Sequence, residues 1–334
     1  MTLTIVDAKT RPIESIFLDY NETPFKLPPE LVGAYRRDLL RGKEAFSALI
    51  AEGKVHDGNI LSLAEVRESE KGLVFSARRF QFEEYFALRN FASGCVQTGT
   101  PVNPKLLGAL AGLSMITLLE TSDNYLVFGH RSGDHLANKY LSPAGFYTHT
   151  SAPGHEFFRE TVFERVSESL GIRSFSPVHY LGCSHDDRDS FLFVQVFTQK
   201  VPLSASDLYK AWEKMPSEKK KHKHLLLVSN RLKPLMDYLF HKGNQVLNTY
   251  SEPPIIFEGA KMVSGPETEK NKEYEPIENG VGALLLYIAH KHGRKVAKEL
   301  CEDLVLDKIV SGVDIGALAD GALNQAFLKR MLPN

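Results

Sequence analysis

The segment Ser142–Ile172, SPAGFYTHTSAPGHEFFRETVFERVSESLGI, sets glutamates at positions 156, 160, 164 and 168, one at every fourth residue. Residues four apart are neighbours on a helix surface, so Glu156, Glu160, Glu164 and Glu168 line one slowly drifting stripe. Carboxylates in such a row offer oxygen ligands and proton acceptors, and they also repel one another. Like charges at this spacing cost a few tenths of a kcal/mol per pair, about 1 kcal/mol over three adjacent pairs. Compensation comes either from a bound cation or from the interleaved Arg159 and Arg165. Phe158, Val162, Phe163, Val166 and Leu170 recur at helical spacing on the other side and predict the buried face. Gly171 then ends the helix, because glycine accepts the left-handed conformation of a C-cap.

These residues resemble the Nudix hydrolases, whose loop–helix–loop box reads G-x5-E-x7-R-E-U-x-E-E-x-G-U, with U aliphatic. Aligned by apolar positions, Glu156 takes the isolated glutamate, Val166 the first aliphatic, Glu168 the first paired glutamate, and Gly171-Ile172 the closing G-U. The box is degenerate: its leading glycine is Thr150, its R-E pair reads Glu164-Arg165, and its second paired glutamate is Ser169. A register one residue back sets Glu164 and Glu168 on the first and last metal glutamates, with Ser167 between them. That arrangement is similar to the Nudix branch that cleaves UDP-glucose, whose helix likewise opens with His-Glu, here His155-Glu156. Upstream, YLSPAGF resembles the proline–glycine turn before the box, and His130-Arg131-Ser132 the strand end before that turn. The likeness covers about residues 106–292.

The resemblance implies a pyrophosphohydrolase acting on a small-molecule nucleoside diphosphate derivative, with a nucleotide sugar as the preferred class. Glu164 and Glu168, assisted by Glu156, would hold magnesium or manganese, hard ions that take oxygen ligands. Glu168 and Glu160 are the candidate catalytic carboxylates. Glu160 serves either there or as a plain surface residue. Arg131, Lys139 and Gly145 are the candidate substrate contacts, the arginine offering a planar fork to phosphate and the lysine a point charge. The competing reading is a Nudix-fold module that binds a nucleotide or a protein without hydrolysis, suggested by the serine at 169 and the inverted R-E pair. From helical spacing alone, the glutamates read as a solvated face closed by Glu156–Arg159 and Arg165–Glu168 pairs; YLSPAGF upstream and Gly171-Ile172 downstream are what set metal binding level with it.

Other polar groups read more simply. His149 and His155 are six apart, a spacing for loop and cap positions rather than a compact metal site. His185-Asp186-Asp187 suits a polar hairpin turn. The run Lys219–His224, KKKHKH, reads as a solvated loop, since it has no interleaved aromatic to stack on bases. The chain has neither a G-x-x-x-x-G-K-[ST] loop nor a convincing G-x-G-x-x-G turn.

The 334 residues exceed one ordinary domain, with 43% hydrophobic and 24% charged residues. A net charge of -1 gives no field to gather nucleic acid or an anionic membrane, so neither is an expected partner. Three widely spaced cysteines give no disulfide framework, and the N-terminus shows no basic segment followed by a sustained apolar run. These features predict a soluble cytoplasmic protein; oligomeric state is not legible.

The elements alternate between strand and helix, which predicts an α/β (α+β) fold: a Nudix-like mixed sheet flanked by helices. Residues 1–105 form an N-terminal α/β domain, 106–292 the Nudix-like domain, and 293–334 a helical C-terminal tail. Within them the pattern predicts a helix from Pro28 to about Lys54, a hairpin around Ser69–Lys71, a linker over Gly94–Pro104, strands Leu113–Glu120, Tyr125–Gly129 and Pro177–Cys183, and a half-buried strand Ser190–Thr198. Pro253–Asn279 reads as an exposed loop and Gly282–Gly293 as a buried helix.

Overall fold

The computed structural model describes residues 3–27, 29–53, 58–100, 110–131, 140–147, 155–173, 176–186, 192–239, 255–258, 261–264 and 278–304. Its strands, in chain order, are β1 (Leu3–Asp7), β2 (Arg11–Pro12), β3 (Ile16–Asn21), β4 (Asn59–Ser69), β5 (Gly72–Gln81), β6 (Gly112–Glu120), β7 (Tyr125–Arg131), β8 (Tyr140–Leu141), β9 (Ala144–Phe146), β10 (Val178–Asp186), β11 (Leu192–Lys200), β12 (His222–Ser229), β13 (Ile255–Glu258) and β14 (Lys261–Ser264). They make one 14-stranded mixed sheet, with the path β1-β10-β11-β6-β7-β12-β13-β14 and the other strands attached at its sides. The expected mixed sheet flanked by helices is what the chain forms. β11 runs parallel to β6 and antiparallel to β10.

The helices are α1 (Pro29–Ala34), α2 (Arg36–Ala51), α3 (Phe82–Gln97), α4 (His155–Leu170), α5 (Ala205–Glu213), α6 (Leu232–Leu239), α7 (Glu278–His292) and α8 (Arg294–Leu304). They cover both faces of the sheet. In β11, Phe193 and Phe197 join the core that takes Phe158, Val162, Val166 and Leu170 of α4. Leu192, Val194 and Val196 point the other way, into the core that takes Leu284, Leu285 and Ile288 of α7. This is the period-two alternation of a strand, with apolar residues on both sides. β11 is therefore buried from Leu192 to Gln199, rather than half-buried as its polar positions suggested. The parallel pairing with β6, which places it inside the sheet, is a long-range contact that a local pattern does not record.

Residues 1–105 share this sheet: β1 and β2 pair with β10, and β4 meets β6 at Ser62 and Gly112. The predicted hairpin forms as β4 and β5, joined at Ser69–Gly72. Three elements differ from expectation. The helix after Pro28 is broken at Tyr35 into α1 and α2. α3 continues through Gly94 to Gln97, into the expected linker. The polar 253–279 segment carries a hairpin, β13–β14, and β13 pairs with Leu226 and Leu227 of β12. The tail beyond Leu304 lies outside the described residues.

Candidate functional site

α4 presents its carboxylates because its other face is committed to the core. Phe158, Val162, Val166 and Leu170 are buried, and Phe163 is half-buried. Phe158 packs edge-on against Tyr147 at 5.4 Å and Phe75 at 6.0 Å. Gly171 ends the helix at φ 69°, its N–H donating to Ser167 O at 2.8 Å. A β-carbon there would lie 2.5 Å from Met215 Cγ, so both the backbone conformation and the packing require glycine.

The stripe is compensated at its ends by arginines three residues away. Arg159 pairs with Glu156, and Arg165 Nη1 donates to Glu168 Oε2 at 3.0 Å. Glu160 and Glu164 are exposed and form no ion pair with the described residues. Ser169, at the degenerate position of the box, is buried.

Arg165 does more than balance charge. Its Nη2 donates to Phe146 O at 3.1 Å, tying α4 to the turn that carries Gly145. A β-carbon on Gly145 would stand 3.3 Å from Arg165 Nε, so the glycine leaves room for the guanidinium. A third element reaches the same carboxylate: Lys221 Nζ donates to Glu168 Oε2 at 2.6 Å. Partial burial pushes the Glu168 carboxyl up, but the Lys221 hydrogen bond and charge, aided by Arg165, hold it below the usual glutamate value.

Lys221 immediately precedes β12, whose first residue, His222, pairs with Arg131 at the end of β7. His222 and His130 are buried, and the rings of His130 and His224 lie 5.7 Å apart. Arg131, His130, Lys221, His222, Lys223 and His224 therefore gather at one end of two paired strands. That end touches the glutamate helix through Lys221.

Glu168 and Gly145 are thus joined through Arg165, and Arg131 is brought alongside through the β7–β12 register. Lys139 and His149 lie outside the described residues. The sequence reading missed Lys221 and His222 by treating KKKHKH as a solvated loop. Its signal was the apolar LLLV that follows directly, which makes the last histidines and lysines a strand entry. His185 corrects the hairpin-turn reading. It lies fully buried within β10, paired in register with Phe193, and burial lowers its pKa to about 3. Among the described residues, no group of three or more His, Cys, Asp or Glu side chains converges closely enough to hold a metal ion.

A second polar cluster fixes α7 to the sheet. Tyr287 Oη donates to the buried Glu120 Oε2 at 2.6 Å, and Lys291 and Lys200 approach Glu120 Oε1 at 3.2 and 3.1 Å. Burial pushes the Glu120 carboxyl up, while Tyr287, Lys200 and Lys291 together bring it below the usual value. These contacts link α7 to β6 and β11.

No family model and no curated protein matches the chain. Among solved structures, it is similar to the NUDIX domain of Shewanella oneidensis NrtR complexed with ADP ribose, at 18% identity and TM-score 0.24. That match covers 28% of this chain and spans 62% of the length of the NrtR domain. It is also similar to a MutT/nudix family protein from Enterococcus faecalis, at 12% identity and TM-score 0.29, covering 72% of this chain and 91% of that one. At these scores neither likeness speaks to chemistry. In the described residues no helix is long and apolar enough to cross a membrane.

Proposed function

We propose that this protein is a Nudix-type pyrophosphohydrolase that cleaves a nucleoside diphosphate joined to a second moiety, with a nucleotide sugar as the preferred substrate class. The observation that carries the reading is the placement of Glu164 and Glu168 one helical turn apart on α4, with Glu164 exposed and Arg165 tying the helix to the turn that carries Gly145. It marks a point beside the basic β7–β12 end where the protein already gathers positive charge. Glu164 and Glu168 fit a hard divalent ion in donor type and spacing, being glutamates one helical turn apart, with Glu164 exposed. A bound magnesium or manganese ion would supply charge neutralisation and polarisation of a phosphoryl oxygen or water.

The chain's own residues do the rest. Arg131 holds a phosphate by its planar fork, with Lys139 and Gly145 as the further substrate contacts of this reading. Glu160, on the same stripe, accepts the proton of the attacking water at its carboxylate, with Glu156 in support. Water adds across the P–O–P bridge, and the nucleotide and the phosphorylated second moiety leave. A panel of nucleoside diphosphate derivatives with magnesium, with products separated, tests this. Turnover abolished by chelation supports it, and absence of turnover on every member sinks it.

One observation favours a second reading. Glu168 is neutralised without any divalent ion, and the buried Ser169 brings no carboxylate to the site. In that reading the domain binds a nucleotide or a protein and does not cleave. Tight nucleotide binding with no product would then be observed in the same panel.

A further inference from the structure

We propose that the solvent face of α2 is a docking surface for a protein partner, and that its occupant is an acidic segment carrying an apolar side chain between its carboxylates. The opposite face of the helix is buried through Leu39, Gly42 and Phe46. Arg36, Arg37, Leu40, Arg41 and Glu44 are left exposed along its first turns. On a helix, Leu40 stands one turn from Arg36 and Arg37 on one side and from Glu44 on the other, with Arg41 next to it. Three guanidiniums therefore rim an apolar side chain that is 53% exposed. Val32 of α1, itself 42% exposed, precedes the break at Tyr35 and extends the apolar surface.

Among the described residues, no carboxylate pairs with these arginines. Lys43, at the side of the helix, is committed to Glu83 and Glu84 of α3 at 3.1 and 3.7 Å. Arg37 and Arg41 are like charges one turn apart, and they repel one another. A carboxylate laid across that pair removes the repulsion and accepts paired N–H donors from a planar fork. The same composition separates the candidate occupants. Arginines around an apolar centre are what protein-binding patches are enriched in. Three cations give few phosphate contacts for a nucleic-acid duplex. Val32 and Leu40 alone bury little in a lipid surface, and the net charge of -1 adds no field to hold one.

Fluorescence anisotropy of a labelled peptide of Glu-Glu-Leu repeats, titrated with the full chain, tests the surface. Wild type should bind the peptide. The double variant Arg37→Glu with Arg41→Glu should bind about tenfold more weakly, since each exposed ion pair supports up to about fivefold. Leu40→Ser should also weaken binding by roughly tenfold, through loss of the apolar anchor. Lys71→Glu with Lys298→Glu reverses two exposed charges elsewhere and should match wild type. All these positions are exposed, and circular dichroism should show the helices intact in every variant. Equal peptide affinity in wild type and the arginine double variant overturns the proposal, as does an equal loss in the lysine control. Absence of peptide binding by wild type also overturns it, whether or not a DNA duplex or phosphatidylserine vesicles bind instead.

Discussion

The ring of His222 occupies the space that a β-carbon on Gly129 would need: three ring atoms lie 2.3, 2.4 and 2.5 Å from that position. Gly129 belongs to β7 and His222 opens β12, where the ladder between the strands shifts register. The glycine therefore lets a bulky ring seat between the two strands, which in turn fixes where Lys221 leaves the sheet.

Gly129→Ala should disturb this seat with little effect on the rest of the core. Overpacking of this kind costs about 1–3 kcal/mol, and here the imidazole must move to relieve it. Chemical denaturation should show that loss. Nuclear magnetic resonance should show the His222 ring signals shifted, with those of His185 unchanged.

His185 makes stability fall in acid. Its pKa in the fold is about 3, against the usual 6.5, so below 6.5 the unfolded chain binds a proton that the fold excludes. Stability from this group is complete above pH 6.5 and is lost as pH falls toward 3. Between pH 7 and pH 5 the loss is about 2 kcal/mol. His185→Leu keeps a buried side chain of similar volume and removes the titration. Unfolding free energies at the two pH values should differ less in the variant than in wild type by that amount.

Glu120→Gln tests the anchor of α7. It retains the shape but removes the charged acceptor of Tyr287 and the partner of Lys200 and Lys291. A hydrogen bond to a charged group is worth about 1.5–3 kcal/mol, and a loss in that range is expected by denaturant titration. Manganese binding should be unaffected, because the cluster lies on the face opposite α4. A variant as stable as wild type would show that α7 is held by its apolar face alone.

Much of the fold was legible because its signals are local. Phe158, Val162 and Val166 at helical spacing, closed by Gly171, gave the helix and its buried face. The β4–β5 hairpin and the β6–β7 pair followed from short apolar runs and polar turns, with Asn124 supplying the positive φ of the second turn. What escaped was set by distant partners. β11 is buried on both sides because β6 and β10 flank it, and Pro253–Asn279 contains a hairpin because β12 offers it an edge. The i,i+3 pairs Glu156–Arg159 and Arg165–Glu168 were readable from spacing and are present. The Lys221–Glu168 contact spans 53 positions, and composition had averaged that lysine into a charged loop.

The central claim is that Glu168 and Glu164 act as one ion-binding pair on α4. Glu168→Gln has similar shape and helix propensity, so the helix should persist in circular dichroism. The measurement is magnesium-dependent hydrolysis of a nucleoside diphosphate-linked substrate, alongside magnesium-induced thermal stabilisation, in wild type and Glu168→Gln. The account predicts that the variant loses most of its turnover and its stabilisation by magnesium while remaining folded, and that Ser169→Ala has a much smaller effect on both. Undiminished turnover and magnesium stabilisation in Glu168→Gln would contradict the account, leaving the glutamates a solvated face with paired arginines.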